Sequence, residues 1–197
     1  MRERPERMIQ HDEMAIPIIR NMLKEQGLPC YDVGVETDRE ELRQALLGRH
    51  DTASIMFRFR PDLICLRPGR SSVLIEAKSE GGRYRHFSVE VDSYRAARHW
   101  DAICPPLMYA FADLSQPPRV YACWAAEIPE PLEIRVPQRW DAAATEARIR
   151  AEFPNTTIRQ EPYNPDPYRS GTPYLLIPKK APYLRTWDKF VANELLR

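Results

Sequence analysis

Glycine is scarce in this sequence, with 7 glycines among 197 residues. That scarcity excludes a collagen helix, which needs glycine at every third position, and it argues against flexible glycine-serine linkers. No apolar run reaches about 18 residues, so we expect no membrane-spanning helix. The first residues, MRERPERMIQHDE, also lack the apolar stretch that is typical of a signal peptide.

The four cysteines are few and far apart, and no two of them form a CxxC pair. Such spacing is poor for a zinc site or a disulfide framework, so we predict reduced, buried thiols and a cytoplasmic protein. No charge of one sign dominates either, because 29 Lys and Arg stand against 28 Asp and Glu. The balance excludes a bulk polycation, although a local basic face remains compatible with it.

Proline is abundant, with 19 residues, of which 14 lie at or after Pro105. Hydrophobic residues make up 43% of the chain, which is enough to build a core. Because the character of the sequence changes after Pro129, we predict a core over residues 1–128 and a proline-rich C-terminal extension over 129–197 that packs on it.

Apolar spacing and turn residues predict an alternation of helices and strands. Three- and four-residue apolar steps predict helices over 12–27, 38–48, 88–100, 141–152 and 185–197. β-branched and aromatic runs predict strands over 53–59, 62–66, 72–78, 106–113, 120–128 and 173–178. Pro68-Gly69 is a strong turn signal, so 62–66 and 72–78 should form an antiparallel hairpin.

The predicted hairpin carries the residues that are most informative about chemistry. Alternation along VLIEAK puts Leu74, Glu76 and Lys78 on one face of the strand. Asp62 follows Pro61 at the start of the partner strand, which meets the end of the other strand. In an antiparallel hairpin the residue numbers of every directly opposed pair add up to the same sum. Asp62 and Glu76 are opposed, and therefore share a face, if that sum is 138, which a three-residue loop over 68–70 provides. A two-residue loop gives 137 and turns Asp62 to the other face.

Two carboxylates held close together repel, so one must be protonated or a cation must lie between them. Oxygen ligands suit Mg²⁺ or Mn²⁺ better than zinc. A lysine on the same face can position or activate a water and neutralise charge on an attacked phosphate.

Pro61-Asp62 followed after 13 residues by Glu76-Ala77-Lys78 resembles the signature of the PD-(D/E)xK nuclease superfamily. The resemblance covers roughly residues 12–128. It implies an α/β (α+β) fold, a restriction-endonuclease-like mixed sheet flanked by helices with an αβββαβ core. It also implies a Mg²⁺- or Mn²⁺-dependent nuclease that acts on nucleic acid, with DNA favoured over RNA.

The same resemblance implies roles for individual residues. Asp62, Glu76 and the Ala77 carbonyl would bind metal, and Lys78 would position or activate the water. An acidic residue on the first helix would add a ligand, with Glu13 the nearest match and Glu25 a weaker one. Glu90 and Tyr94 resemble a supporting Gln-xxx-Tyr element, with Glu in place of Gln. Nearby arginines would contact phosphates, namely Arg58, Arg60, Arg83, Arg85 and Arg95.

Plainer interpretations stay open at this point. Asp62 can be a turn residue after proline, and Glu76 with Lys78 can be an exposed charge pair. The fold can also serve a non-catalytic nucleic-acid-binding or scaffolding module, or an RNA-directed nuclease. We expect no membrane partner, and a junction-resolving activity would further require a homodimer.

Overall fold

The computed structural model describes residues 6–33, 51–80, 85–104, 106–138, 142–161 and 172–196. Within these ranges the chain forms a mixed α/β structure with two mixed sheets and five helices. The helix predicted over 38–48 and residue Arg83 lie outside the described residues.

The first sheet has six strands in the order β1-β2-β3-β5-β6-β10. Strands β3 and β5 run parallel, and every other neighbouring pair in this sheet is antiparallel. The strands are β1 (Cys30–Asp32), β2 (Leu63–Cys65), β3 (Val73–Glu80), β5 (Leu107–Asp113), β6 (Arg119–Trp124) and β10 (Arg185–Thr186).

The second sheet has four strands in the order β4-β9-β7-β8, and only β7 and β8 are parallel. Strands β4, β7 and β9 alternate between buried and more exposed residues, which is the pattern of a sheet with one face in the core. They are β4 (His86–Glu90), β7 (Glu133–Pro137), β8 (Thr157–Glu161) and β9 (Tyr174–Pro178).

Five helices accompany the two sheets in the described part of the chain. A 3₁₀ turn over Ala125–Glu127 follows β6, and a π-helical turn over Val191–Leu195 continues the last helix. None of the described helices has both the length and the apolar run that crossing a membrane requires. They are α1 (Glu6–Glu25), α2 (Thr52–Arg58), α3 (Val91–Ile103), α4 (Ala142–Glu152) and α5 (Trp187–Phe190).

The central strand β3 is buried on both faces, and each face belongs to a different hydrophobic cluster. Val73, Ile75 and Ala77 pack in the cluster that includes α1 and α5. Leu74, on the other face, packs in the cluster that includes α3 and the second sheet. The first sheet is therefore the middle layer of the molecule, as parallel strands buried on both faces require.

Residues 53–59 form no strand, contrary to the prediction. They lie in and just after α2, because Asp51 caps the start of a helix. Its carboxylate accepts hydrogen bonds from Ser54 N at 2.9 Å and from Ser54 Oγ at 2.7 Å. A side-chain cap of this kind outweighs the weak strand preference of a short apolar run. The strand that precedes the hairpin is β1 instead.

Most other predicted elements form, with shifted ends. Helix α1 begins at Glu6, so Pro17 lies inside it rather than in its first turn. Helix α3 begins at Val91, because residues 86–90 pair with β9 as a strand. The predicted helix over 185–197 is shorter, since its first two residues pair with β6.

Each of the two sheets contains strands from before and from after residue 128. In the second sheet β4 pairs with β9, and in the first sheet β6 pairs with β10. Trp187 and Phe190 of α5 also pack in one cluster with Ile19 of α1. The division of the chain after residue 128 stays a prediction, and the described pairings connect its two parts.

Asp113 and Lys179 form a mostly buried ion pair between the two sheets, with Nζ 2.7 Å from Oδ2. Burial alone would raise the pKa of Asp113, but hydrogen bonds from Lys179 and from Ser115 hold it below its ordinary value. Replacing Lys179→Met should lower the free energy of unfolding by about 2 kcal/mol at neutral pH, because it leaves the carboxylate buried without its cation.

The depressed pKa also fixes the sign of the pH dependence. The contribution of Asp113 is complete above the pKa it has in the unfolded chain and is lost as the pH falls toward its lower folded value. Urea unfolding across the acid range should therefore show a shallower loss of stability for Asp113→Asn than for the unmodified chain. Equal slopes for the two proteins would contradict this account.

Candidate active site

The hairpin of β2 and β3 has the register that the sequence predicts. Leu63 pairs with Ile75, Ile64 with Leu74 and Cys65 with Val73, so each pair of numbers adds up to 138. The ladder ends earlier than expected, and residues 66–72 connect the strands instead of the three predicted. Gly69, with φ of 68°, lies at the centre of this turn. The last pair of the ladder is Leu63 with Ile75, and the Asp62 amide just before it also bonds to Ile75, so the direct pairing of Asp62 with Glu76 stays a prediction.

Asp62 is fixed by its backbone and its side chain together. Its amide donates to the Ile75 carbonyl at 2.9 Å, and its carbonyl accepts from Val33 N at 2.9 Å. Its Oδ2 accepts from Ala77 N at 2.7 Å. Pro61 has no N–H and is buried just before it, at the end of the ladder. Asp62 is thus bonded to both neighbouring strands, which a plain turn residue would not need.

Glu76 is a buried carboxylate, with only 7% of its side chain exposed. Its Oε1 lies 2.6 Å from Nζ of Lys78, whose side chain is 26% exposed. Ser93 Oγ, on the first turn of α3, donates to the same oxygen at 3.1 Å. The burial argues against an exposed charge pair, since a carboxylate at this depth requires the cation and the hydroxyl.

Lys78 is held as an ammonium. Burial alone would lower its pKa, but the carboxylates of Glu76 and Asp62 together raise it, and the net pKa lies above the ordinary lysine value. Lys78 is therefore protonated near neutral pH and has no lone pair with which to accept a proton. In this state it can donate hydrogen bonds to a water or neutralise an anion.

Tyr109 lies beneath this network on the parallel neighbour β5, where it pairs directly with Glu76. Its hydroxyl donates to the Ser93 carbonyl at 3.3 Å, which fixes the turn that presents the serine. Burial first, and then the nearby Glu76 charge, raise the pKa of Tyr109. The phenol therefore stays protonated and serves as a fixed donor.

Asp62, Glu76 and the Ala77 carbonyl offer oxygen ligands alone. That donor chemistry fits a hard cation such as Mg²⁺ or Mn²⁺. Among the residues that the structure describes, no group of three or more His, Cys, Asp or Glu side chains could hold a metal ion. Glu13 lies in α1, with its side chain outside the described residues, and Glu25 is exposed at the end of α1.

The structure places Glu90 and Tyr94 around the start of α3 rather than on Glu76. Glu90 Oε1 accepts from Thr172 Oγ1 at 2.9 Å. Tyr94 is buried, and its hydroxyl lies 3.4 Å from the Pro129 carbonyl and 3.3 Å from Arg98 Nη1. Ser93, between them, makes the contact with Glu76, and the supporting roles of Glu90 and Tyr94 stay predictions.

Three arginines from different helices meet at one carboxylate, that of Asp92. Arg58 lies 3.1 Å from its Oδ2, while Arg95 and Arg148 lie 3.3 and 3.0 Å from its Oδ1. Arg95 also pairs with Glu152. Because Asp92 precedes Ser93, this arginine cluster begins one residue from the group that bonds Glu76.

The other predicted phosphate contacts are more scattered. Arg60 is half-buried, and its Nε is a buried atom without a hydrogen-bond partner among the described residues. Arg85 is exposed just before β4. A contact between phosphate and any of these arginines stays a prediction.

Sequence reasoning missed the residues that hold the site from neighbouring elements. Ser93 and Tyr109 contact the network because α3 crosses over and β5 pairs parallel to β3. Arg148 lies 56 positions from Asp92 in sequence. The only available signal was the position of Ser93 next to Tyr94, on the helix that follows the hairpin.

Comparison of this chain with protein-family models, with curated proteins and with solved structures found no match.

The contact of Lys78 with Glu76 can be tested by a double-mutant cycle. Lys78→Met should lower the free energy of unfolding by about 2 kcal/mol, because it leaves a buried carboxylate without its cation. Adding Glu76→Gln removes that charge, so the double variant should recover part of the loss. Urea unfolding of all four proteins gives the coupling energy, and strictly additive losses would contradict the pairing.

The hydrogen bond from Ser93 can be tested against a matched exposed serine. Ser93→Ala should cost about 1–2 kcal/mol, because Glu76 loses a buried donor. Ser88→Ala removes an exposed hydroxyl that lies 3.3 Å from Glu80 and should cost less than about 0.5 kcal/mol. Equal losses in urea unfolding would mean that Ser93 contributes no more than a surface serine.

Proposed function

We propose that this chain is a metal-dependent nuclease that hydrolyses phosphodiester bonds in nucleic acid, with DNA as the favoured substrate. One observation carries the proposal. The hairpin brings Asp62, one residue before the pair of Leu63 with Ile75, to the Ala77 amide next to Glu76, and the Asp62 carboxylate accepts from that amide at 2.7 Å. Lys78 lies 2.6 Å from Glu76 on the same strand. Two carboxylates, one ammonium and a main-chain carbonyl then stand where the buried part of β3 ends.

The order of elements supports the restriction-endonuclease-like part of the proposal. Helix α1, strands β1, β2 and β3, helix α3 and strand β5 follow one another in the αβββαβ order, with α2 and β4 as additional elements. The first three strands form an antiparallel meander, and β5 joins β3 in parallel after the helix. Glu76 and Lys78 lie on the third strand of this order, and Asp62 lies just before the second.

The chemistry follows from the roles that these side chains can fill. Asp62, Glu76 and the Ala77 carbonyl would hold Mg²⁺ or Mn²⁺, which supplies a hydroxide-like nucleophile and charge neutralisation when bound. The Lys78 ammonium donates hydrogen bonds that orient the attacking water or a phosphate oxygen. Ser93 and Tyr109 hold Glu76 in one position through the reaction. In the hydrolysis the water oxygen bonds to phosphorus, and the leaving oxygen departs with a proton.

The arginine cluster on Asp92 supports a polyanionic substrate. Arg58, Arg95 and Arg148 carry three positive charges, and Asp92 and Glu152 offset two of them. Guanidinium groups bind phosphate oxygens in pairs of parallel hydrogen bonds. A cluster that begins beside Ser93 suits a phosphate close to the one that is cleaved.

A non-catalytic binding module with the same fold is the second candidate. One observation favours it, because Lys78 already lies on Glu76 at 2.6 Å and neutralises the carboxylate that a metal would need. Such a module would bind nucleic acid through its arginines and take up no divalent metal. An RNA-directed nuclease and a homodimer also stay predictions.

Calorimetric titration with Mn²⁺ separates the enzyme from the binding module. The unmodified chain should bind Mn²⁺, and Asp62→Asn should weaken binding by at least about tenfold, because loss of even an outer-shell partner has an effect of that size. Asp32→Asn is the matched control, since Asp32 is an exposed aspartate on the neighbouring strand that pairs with Arg20. Its Mn²⁺ affinity should be unchanged.

The same three proteins should then be assayed with Mg²⁺ on single-stranded DNA, duplex DNA, branched DNA and RNA. Cleavage of a DNA substrate that Asp62→Asn abolishes and Asp32→Asn retains is the expected result. Cleavage of RNA alone would make the chain an RNA-directed nuclease. If the unmodified chain neither binds Mn²⁺ nor cleaves any of the four substrates, the enzyme proposal is wrong.

A further inference from the structure

Two cysteines that are distant in sequence lie directly opposite each other in the first sheet. Cys30 begins β1 and Cys65 ends β2, and the antiparallel register pairs them. Both thiols are free. Cys65 is fully buried, whereas Cys30 is partly exposed at the edge strand of the sheet.

Hydrogen bonds on either side show which kind of pair they form. Leu66 N donates to the Pro29 carbonyl at 2.8 Å, and Val33 N donates to the Asp62 carbonyl at 2.9 Å. Hydrogen-bonded and non-hydrogen-bonded pairs alternate along an antiparallel ladder. Leu66 and Pro29 form a hydrogen-bonded pair, and Cys30 and Cys65 are the next pair along the ladder. The cysteines are therefore a non-hydrogen-bonded pair.

That pair type brings side chains close together. Its Cα atoms are about 4.5 Å apart, with the two side chains on the same face. Protein disulfides span Cα distances of about 4.4–6.8 Å, so the spacing admits a disulfide near the short end of the range. Both cysteines contact the same hydrophobic cluster, and burial followed by the nearby Cys30 thiol raises the pKa of Cys65 to about 11.

We propose that Cys30 and Cys65 are a reversible oxidation site that takes a small-molecule disulfide such as glutathione disulfide as its oxidant. The Cys30 sulfur, as its thiolate, attacks one sulfur of the oxidant and releases the first glutathione thiolate. The Cys65 sulfur then attacks the Cys30 sulfur and releases the second. One disulfide is reduced and one is formed, and the two protein protons end on the two released thiols.

The surroundings assign the first step to Cys30. Cys65 is inaccessible to an oxidant, while Cys30 is partly exposed beside Arg20. Burial keeps the pKa of Cys30 above its ordinary value, although the Arg20 guanidinium favours the thiolate. A buried partner directly across the strand is placed to resolve the mixed disulfide and not to start the reaction.

The bond would tie the short edge strand β1 to the strand that follows Asp62. Val33, just after β1, already bonds to the Asp62 carbonyl at 2.9 Å. Oxidation should therefore restrain the segment in which Asp62 lies. This inference does not rest on the proposed nuclease function, since it concerns the thiols alone.

The test is an equilibrium titration of the folded full chain with mixtures of reduced and oxidised glutathione. After quenching and alkylation, mass spectrometry of peptides should show a Cys30–Cys65 link that forms in oxidising mixtures and disappears in reducing ones. The link should be absent in Cys30→Ser and retained in Cys104→Ser, the matched control. Hydrogen exchange at the Val33 amide should slow at least several-fold on oxidation.

Three outcomes would overturn the proposal. All four thiols could stay alkylatable in the most oxidising mixture. Cys30 could stop at a stable mixed disulfide with glutathione. The only link that forms could join other cysteines. The unmodified chain alone distinguishes the first two outcomes, so the test holds even if a variant fails to fold.

Discussion

The burial of the Glu76 carboxylate is the constraint on which the candidate site depends. The Glu76 side chain is only 7% exposed, so its charge needs compensating partners. Lys78 supplies the cation, Ser93 supplies a hydroxyl from α3, and Tyr109 fixes the turn of Ser93 from β5. Helix α3 and strand β5 are thus held around one carboxylate, and the same contacts determine where each of them packs.

The two faces of β3 carry different kinds of side chain. Val73, Ile75 and Ala77 give one face to apolar packing against α1 and α5, while Glu76 and Lys78 occupy the other. Strand alternation therefore separates an apolar face from the face that holds the two charged side chains of the candidate site. A shift of one residue in the hairpin would exchange the two faces, which explains why the turn around Gly69 matters for the site.

Local features of the sequence predicted the hairpin well. Pro68-Gly69 and the alternation of VLIEAK sufficed to predict the hairpin and its register from Leu63 to Cys65, because register depends on neighbouring residues. The run 53–59 was misjudged, since the Asp51 cap favoured a helix over a strand. Local sequence could not predict the contacts of Ser93 and Tyr109 or the pairing of Cys30 with Cys65. Each depends on which strands and helices become neighbours in space.

The pairing of β4 with β9 has a consequence for how the chain reaches this structure. Ser88 pairs with Leu176, a sequence separation of 88 residues. On a ribosome, β4 emerges long before β9, so the backbone edge of β4 that pairs with β9 is unpaired during that interval. Long-range strand pairs also slow folding, because the intervening chain loses conformational entropy before the stabilising contacts between the strands can form. The second sheet therefore cannot be completed before β9 has been synthesised and has reached β4.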